Sequence, residues 1–326
     1  MSDFLSPNSQ LLTVHEGRRR YPDWLKKQLP ASGIAPAVRA MLDELGLHTV
    51  CQSSQCPNEV ECFAQRQVTF MVLGDRCTRH CSFCDVDFAK PRAVDAQEPE
   101  RVAEAVARLG LRHVVLTMVA RDDLADGGAE HCAQVIQAVR RRHPQATVEF
   151  LVSDFRGRRD AIARVLEARP EIFAHNIETV ERLTPVMRHQ ATYQRSLEVL
   201  RIARALTQNS LIKSSFMLGA GETPAEVEQT MRDLHAAGCT HLTIGQYVQP
   251  TAAQRPVIEY VLPTTFAAHA RTAYAIGFRW VMAGPFVRSS YHAFEALHGP
   301  STSFRMVPSE HSASRDGSAP HEVAAS

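Results

Sequence analysis

From Val68 to Ile276, short apolar runs rich in β-branched residues alternate with longer runs whose apolar residues recur every three or four positions. The short runs are Val68–Leu73, His113–Val119, Thr147–Val152, Ile172–Ile177, Leu211–Met217 and His241–Ile244. The longer ones are Glu98–Leu109, Ala129–Val139, Asp160–Leu166, Tyr193–Leu206, Pro224–Ala236 and Phe266–Ile276. Short β-branched runs read as strands, and a period near 3.6 marks helices. Strands joined through helices pair in parallel, because each crossover returns the chain to the same end of the sheet. The pattern predicts an α/β fold, a partial (β/α)6 TIM-like barrel, with a doubly wound open sheet as the alternative. In either fold, chemistry is built on the loops after the C-terminal ends of the strands.

The loop after the first strand is Cys77-Thr78-Arg79-His80-Cys81-Ser82-Phe83-Cys84. Gaps of three and two residues let one tight loop turn three sulfurs toward a single point. Iron–sulfur clusters are normally held by four cysteines, so three leave one iron open to another ligand. Structural zinc is the competing reading, but it favours a fourth Cys or His at a familiar spacing. His80 lies within the loop, and its neighbours aim it away from the shared point.

A second thiol group precedes the first strand: Cys51, Cys56 and Cys62, at gaps of four and five. It reads as a second cluster, or as a zinc loop, whose fourth ligand comes from elsewhere in the chain. Near the C-terminus, Val287-Arg288-Ser289-Ser290-Tyr291-His292 offers two serines and a histidine. A serine oxygen would be a labile ligand for iron, and His292 an ordinary one. Cys132 and Cys239 stand alone in apolar surroundings and read as buried small apolar residues.

Other loops carry polar residues at strand ends. Gly127-Gly128 follows the second strand and permits close backbone approach. After the fourth strand, alternation points His175 and Ile177 one way and Asn176 and Glu178 the other. Lys213 sits early in the fifth strand, where a cation inside a barrel needs either a ligand carboxylate or an acidic partner. In Gly219-Ala220-Gly221-Glu222-Thr223, Glu222 or Thr223 caps the next helix.

Residues 1–50 read as an extension, with Tyr21–Leu25 and Leu29-Pro30 extended and Ala35–Leu45 helical. Residues 51–67 form the second thiol loop, 68–280 the barrel and 281–297 a C-terminal segment. Residues 298–326 lack periodicity and read as disordered. The 36 basic and 35 acidic residues nearly cancel, which points to neither nucleic acid nor a membrane as partner. The runs Arg18–Arg20 and Arg140–Arg142 read as solvated faces. With no signal-peptide pattern, the expected location is the reducing cytoplasm, where clustered thiols bind metals instead of forming disulfides.

The C-x3-C-x2-C spacing with Phe83 before the last cysteine resembles the radical S-adenosylmethionine (SAM) superfamily. The paired spacing C-x4-C-x5-C and the Arg288-Ser289-Ser290-Tyr291 segment narrow the resemblance to the lipoyl synthase family. Arg121-Asp122-Asp123-Leu124, His175-Asn176-Ile177-Glu178-Thr179 and Gly245-Gln246-Tyr247 also carry it. Met118-Val119-Ala120, Met187–Gln190 and Ser214-Ser215-Phe216 depart from the family's usual residues.

The resemblance implies two [4Fe-4S] clusters and SAM. Cys77, Cys81 and Cys84 would hold one cluster, with SAM on the open iron. Cys51, Cys56, Cys62 and Ser290 would hold an auxiliary one. Phe83 would lie near the adenine, and Gly127, Gly128, Asn176, Glu178 and Lys213 would contact SAM. The implied activity is that of a sulfurtransferase in lipoate biosynthesis, inserting two sulfurs at C6 and C8 of an octanoyl chain on a carrier lysine. The auxiliary cluster would be the sulfur source. The implied partners are octanoylated lipoyl-carrier domains (acyltransferase subunits of 2-oxoacid dehydrogenases, the glycine cleavage H protein) and a reductant such as ferredoxin or flavodoxin. A paralogue or other sulfur-inserting radical SAM enzyme acting on a related acyl chain is the alternative. From other classes, a two-cluster electron-transfer protein and a zinc-stabilised binding module compete.

Overall fold

The computed structural model describes residues 21–27 and 34–298. The readings made for Leu29-Pro30 and for the tail from 299 onward lie outside the described residues. A 3-10 turn at Asp23–Leu25, where extended chain was expected, precedes helix α1 (Ile34–Glu44). Next come a two-residue strand β1 (His48–Thr49) and short helices α2 (Val50–Ser53) and α3 (Glu59–Ala64). Strand β2 (Thr69–Val72) then opens the main sheet, and the two-residue strands β3 (Arg76–Cys77) and β4 (Asp87–Phe88) pair with each other.

The βα alternation follows as predicted: α4 (Glu98–Leu109), β5 (His113–Met118), α5 (Ala129–Arg142), β6 (Thr147–Leu151), α6 (Arg159–Glu167) and β7 (Ile172–Ala174). It continues through α7 (Thr184–Met187), α8 (Tyr193–Leu206), β8 (Leu211–Leu218), α9 (Pro224–Ala236), β9 (His241–Gln246) and α10 (Pro263–Ile276). It ends with β10 (Trp280–Gly284) and α11 (Glu295–His298). Local chemistry sets these boundaries. Helix α9 begins with a Thr223/Glu226 capping box and Pro224 in its first turn, and α4 stops at Gly110 in the left-handed region.

The main sheet runs β1-β2-β5-β6-β7-β8-β9-β10. Strand β1 is antiparallel to β2, and every other pairing is parallel. The six predicted strands are all present. The sheet adds a seventh parallel strand, β10, inside and just before the segment read as a C-terminal extension. Phe150, Phe173, Phe216, Leu242 and Ile244 are fully buried, and their strand neighbours, such as Glu149 and Lys213, point to the other face of the sheet. Cys132 and Cys239 are fully buried, as expected. Arg140 and Arg141 pair with Glu171 and Glu100, which leaves the basic run on α5 locally compensated. Among the described residues no helix is long and apolar enough to cross a membrane.

The concave face carries a polar floor. Lys213 Nζ of β8 bonds both Glu149 oxygens of β6, at 2.8 and 2.9 Å, across the intervening β7. The ammonium also lies 5.5 Å from the ring centre of Trp280 on β10. His113 Nε2 stands 3.8 Å from Glu149. Above Lys213 on the same face, the register rows are Ser215, Thr243 and Met282, then Met217, Gly245 and Gly284. Most of these side chains are small, which leaves room toward the strands' C-terminal ends. At Gly245 a Cβ would fall 2.1 Å from the Val287 carbonyl oxygen, so a glycine there lets the chain after β10 lie against β9.

Lys213→Ala strands Glu149 as an uncompensated buried charge. We expect it to lower stability by about 3–5 kcal/mol, read as a shift of the urea midpoint at unchanged slope. Lys213→Met with Glu149→Leu should restore most of the loss. A native midpoint for the single variant would show that the pair contributes nothing.

Candidate active site

The Cys77–Cys84 loop follows β2 and is stitched to four other segments. Thr78 donates from its amide and hydroxyl to the Ala120 carbonyl, at 3.0 and 2.9 Å, just after β5. The Ser82 amide donates to Met187 O at 3.0 Å, and the Arg255 amide to Ser82 O at 2.8 Å. The main tie is Arg79, which is buried. Its guanidinium bonds Asp122 through two nitrogens at 2.7 and 2.8 Å and Asp154 at 2.7 Å. The Arg79 bonds hold the Asp122 carboxyl down at about 2. Burial alone would raise Asp154, but the bonds to Arg79 hold it below its ordinary range. His80 is exposed and stacks on Phe88 with centroids 5.1 Å apart, outside the thiol group.

The three sulfurs lie close enough to act on one another electrostatically. Burial raises the Cys81 thiol and pushes Cys84 up to about 12. The backbones of His189 and Val86 bond Cys81 and Cys84 and oppose this, and the Arg79 amide donates to Cys77 Sγ at 3.4 Å. Bound cationic iron removes the thiol protons, and N–H donors to sulfur then stabilise the thiolates.

Asn176 and Glu178 stand at the end of β7. Asn176 is buried and its Oδ1 has no hydrogen-bond partner, an acceptor placed for a ligand donor. Glu178 sits at φ 68, with Glu178 N to Ser215 O at 3.0 Å and Met217 N to Glu178 O at 2.9 Å fixing it to β8. A non-glycine residue held in that region is strained and is found preferentially at functional positions. Burial raises the Glu178 carboxyl, and the nearby Arg188 cation opposes it. Arg188 donates to Ser196 Oγ at 2.6 Å, and Ser196 lies 3.0 Å from His175 Nε2. His175 Nδ1 faces the Val152 carbonyl at 3.0 Å. A carbonyl only accepts, so Nδ1 carries the proton and Nε2 accepts from Ser196. Burial holds His175 down at about 4, so it is neutral at pH 7.

The remaining expected contacts fall in different places. Phe83 is half-buried against the core beside the loop. Gly127 and Gly128 lie at φ 67 and 89, and a Cβ on Gly128 would meet Leu73 Cδ1 at 2.4 Å. Their amides are taken by Leu124 O and Asp126 Oδ1. Glu222 accepts from the Gly219 and Ala220 amides at 2.9 and 3.0 Å, a local turn. Lys213, expected to meet a ligand or an acid, meets the acid. Its ammonium bonds both Glu149 oxygens low in the barrel, which moves it from the SAM contacts to a buried ion pair.

The second triad lines one cavity. Cys51 on α2, Cys56 in the turn after it and Cys62 on α3 share it with Asn58, Arg288 and Ser290. Of the serine pair and the histidine, only Ser290 lines it. His292 Nδ1 turns to Glu295, at 3.6 Å. Burial pushes Cys51 up to about 12 and raises Cys62 as well. Arg288 donates to the Gln246 and Val287 carbonyls at 3.1 and 2.8 Å. Burial lowers the guanidinium, and the charge of Cys56 opposes this. A guanidinium on the wall of the thiol cavity, with no carboxylate paired to it among the described residues, fits an anionic thiolate-held group.

Asp85 joins the two triads. Its carboxylate accepts from Gln55 at 2.6 Å and from Gln254 at 3.0 Å, so the loops carrying Cys56 and Cys84 are linked. Sequence reasoning missed Arg188 and Arg288, because a buried arginine and an exposed one look alike in one dimension.

Arg79→Gln should remove about 3–5 kcal/mol at pH 7. Asp122 is held down in the folded state, so its stabilisation is complete above the unfolded value of about 4 and is lost as pH falls toward 2. The variant should show a flatter stability profile across that window. A profile as steep as the native one would rule out the assigned role.

The Radical SAM superfamily model matches residues 71–234. The chain is 48% identical over 274 residues to the lipoyl synthase of Caldicellulosiruptor saccharolyticus, covering 84% of this chain and 96% of that one. It is 51% identical over 277 residues to the lipoyl synthase of Thermus thermophilus, covering 84% and 86%. The fold is similar to that of Streptococcus suis SuiB bound to S-adenosylmethionine, with a TM-score of 0.53 and 9% identity over 65% of this chain and 49% of that one. Two thiol triads on a parallel barrel, matched along their length by these relatives, place the chain in the lipoyl synthase family of the radical SAM superfamily.

Proposed function

We propose that this protein inserts two sulfur atoms, at C6 and C8, into an octanoyl chain attached to a lysine of a carrier domain. The carrying observation is the second cavity, where Cys51, Cys56, Cys62 and Ser290 meet beside an arginine with no carboxylate partner. Radical SAM chemistry alone needs one triad, and the second one supplies the sulfur. The C–H bonds to be broken are unactivated, so no general base in the barrel could remove a proton from them. When bound, the two [4Fe-4S] clusters and SAM supply a 5′-deoxyadenosyl radical and the sulfur atoms.

The chain's own residues bind and orient. Cys77, Cys81 and Cys84 hold the first cluster, and three ligands leave one iron for SAM. Phe83 lies against the adenine. Asn176 and Glu178 hold the ribose or amino acid part, with the free Asn176 Oδ1 accepting. The Gly127-Gly128 turn has its amides occupied, so it would meet the amino group of SAM through carbonyl oxygen. Cys51, Cys56, Cys62 and Ser290 hold the second cluster. A serine ligand bonds iron less firmly than a thiolate, which suits a group that must give up iron when its sulfur leaves. The polar floor of Glu149 and Lys213 closes the barrel from below, and the small side chains above it leave room for an acyl chain.

In this reading, residues 51–67 and 281–297 are arms that build the sulfur site, and 68–280 is the radical-forming barrel. The substrates would be octanoylated acyltransferase subunits of 2-oxoacid dehydrogenases and the glycine cleavage H protein. Ferredoxin or flavodoxin would deliver electrons in a reducing cytoplasm.

Anaerobically purified protein should carry about eight irons and eight sulfides per chain. Cys77→Ala should abolish SAM cleavage. Cys56→Ala should cleave SAM normally yet insert no sulfur into an octanoylated peptide. Sulfur insertion by Cys56→Ala would overturn the assignment of the donor.

A further inference from the structure

Lys27 lies far from both thiol triads in sequence, yet its ammonium is held among residues that flank the second one. It donates to Asn58 Oδ1 at 2.8 Å and pairs with the Glu61 carboxylate. It also lies over the rings of Phe286 and Tyr291, 5.0 and 5.2 Å from their centres. The two sides it touches are bonded to each other. Asn58 Nδ2 donates to Phe286 O at 2.7 Å, and the Tyr291 hydroxyl donates to Glu61 at 3.3 Å. Asn58 and Glu61 stand between Cys56 and Cys62, while Tyr291 directly follows Ser290. One cation thus clips the cysteine arm to the serine arm by an ion pair, a charge-assisted hydrogen bond and two cation–π contacts.

We propose that Lys27 is a positioning residue for Ser290, holding the serine oxygen over the cysteine triad so that the auxiliary cluster keeps its fourth iron. This rests on Ser290 being that iron's ligand. A weak oxygen ligand binds only while the backbone presents it at the right distance, and 228 residues separate Ser290 from Cys62. The clasp supplies that presentation from a third stretch of chain. Removing the cation loosens the serine arm while leaving the three thiols in place.

The test compares native protein with Lys27→Met, Lys27→Arg and Ser290→Ala, each loaded anaerobically with SAM present to occupy the open iron of the other cluster. Iron and sulfide per chain are measured, with the EPR signal of three-iron clusters and the far-ultraviolet circular dichroism. Ser290→Ala should lose about one iron per chain and gain the three-iron signal. Lys27→Met should do the same with unchanged secondary structure, and Lys27→Arg should keep the native iron. Full iron in Lys27→Met beside a deficit in Ser290→Ala would overturn the clasp and leave the ligand assignment standing. Full iron in both would overturn the ligand assignment, and the clasp with it. Loss of all four irons in Lys27→Met would also overturn the proposal, because Lys27 would then be building the cysteine loop itself.

Discussion

A guanidinium buried between two carboxylates holds the first thiol loop in shape. The loop from Cys77 to Cys84 has little regular structure of its own. Arg79 lies between its first two cysteines and bonds Asp122 after β5 and Asp154 after β6. Such a triad is costly to bury and more costly to break. Its value lies in geometry, since two strand ends and a cysteine loop are held as one body. Without that body, three sulfurs on a flexible segment would not converge, and an open coordination position would have no fixed direction.

Charge is distributed differently around the two triads. Beside Cys81 the buried Arg188 lies within electrostatic reach of Glu178, so that wall carries both signs of charge. Beside Cys56 the half-buried Arg288 donates to carbonyl oxygens and feels the charge of a thiol, with no carboxylate paired to it among the described residues. Asp85 of the first thiol loop accepts from Gln55 of the second and from Gln254, which ties the two loops together.

The sequence displays the fold wherever periodicity is strong. Six strands and their helices are visible because buried β-branched runs alternate with amphipathic ones. Strand β10 escapes notice because Trp280–Gly284 is a short run on the outermost parallel edge, half-buried throughout. Strand β1 has two residues, too few for any period. The cysteine ligands are legible because their spacing is local. Partners across the fold are not: Lys213 plainly needs an acid, but nothing in the chain names Glu149, 64 positions away. Nor could spacing prefer Ser290 to Ser289. That choice came from family resemblance, and the lining of the cavity agrees with it.

The sulfur-site cavity is assembled from both ends of the chain, with the barrel in between. On a ribosome, Cys51, Cys56 and Cys62 emerge long before Ser290 and the segment that rests on Gly245. At about 5–20 residues per second, the 228 positions from Cys62 to Ser290 take roughly 10–50 s to translate. Through that interval the three thiols have no fourth ligand and no covering arm. The direction of synthesis therefore fixes the order in which the cavity is completed: the three thiols first, then the barrel, then the arm that carries Ser290.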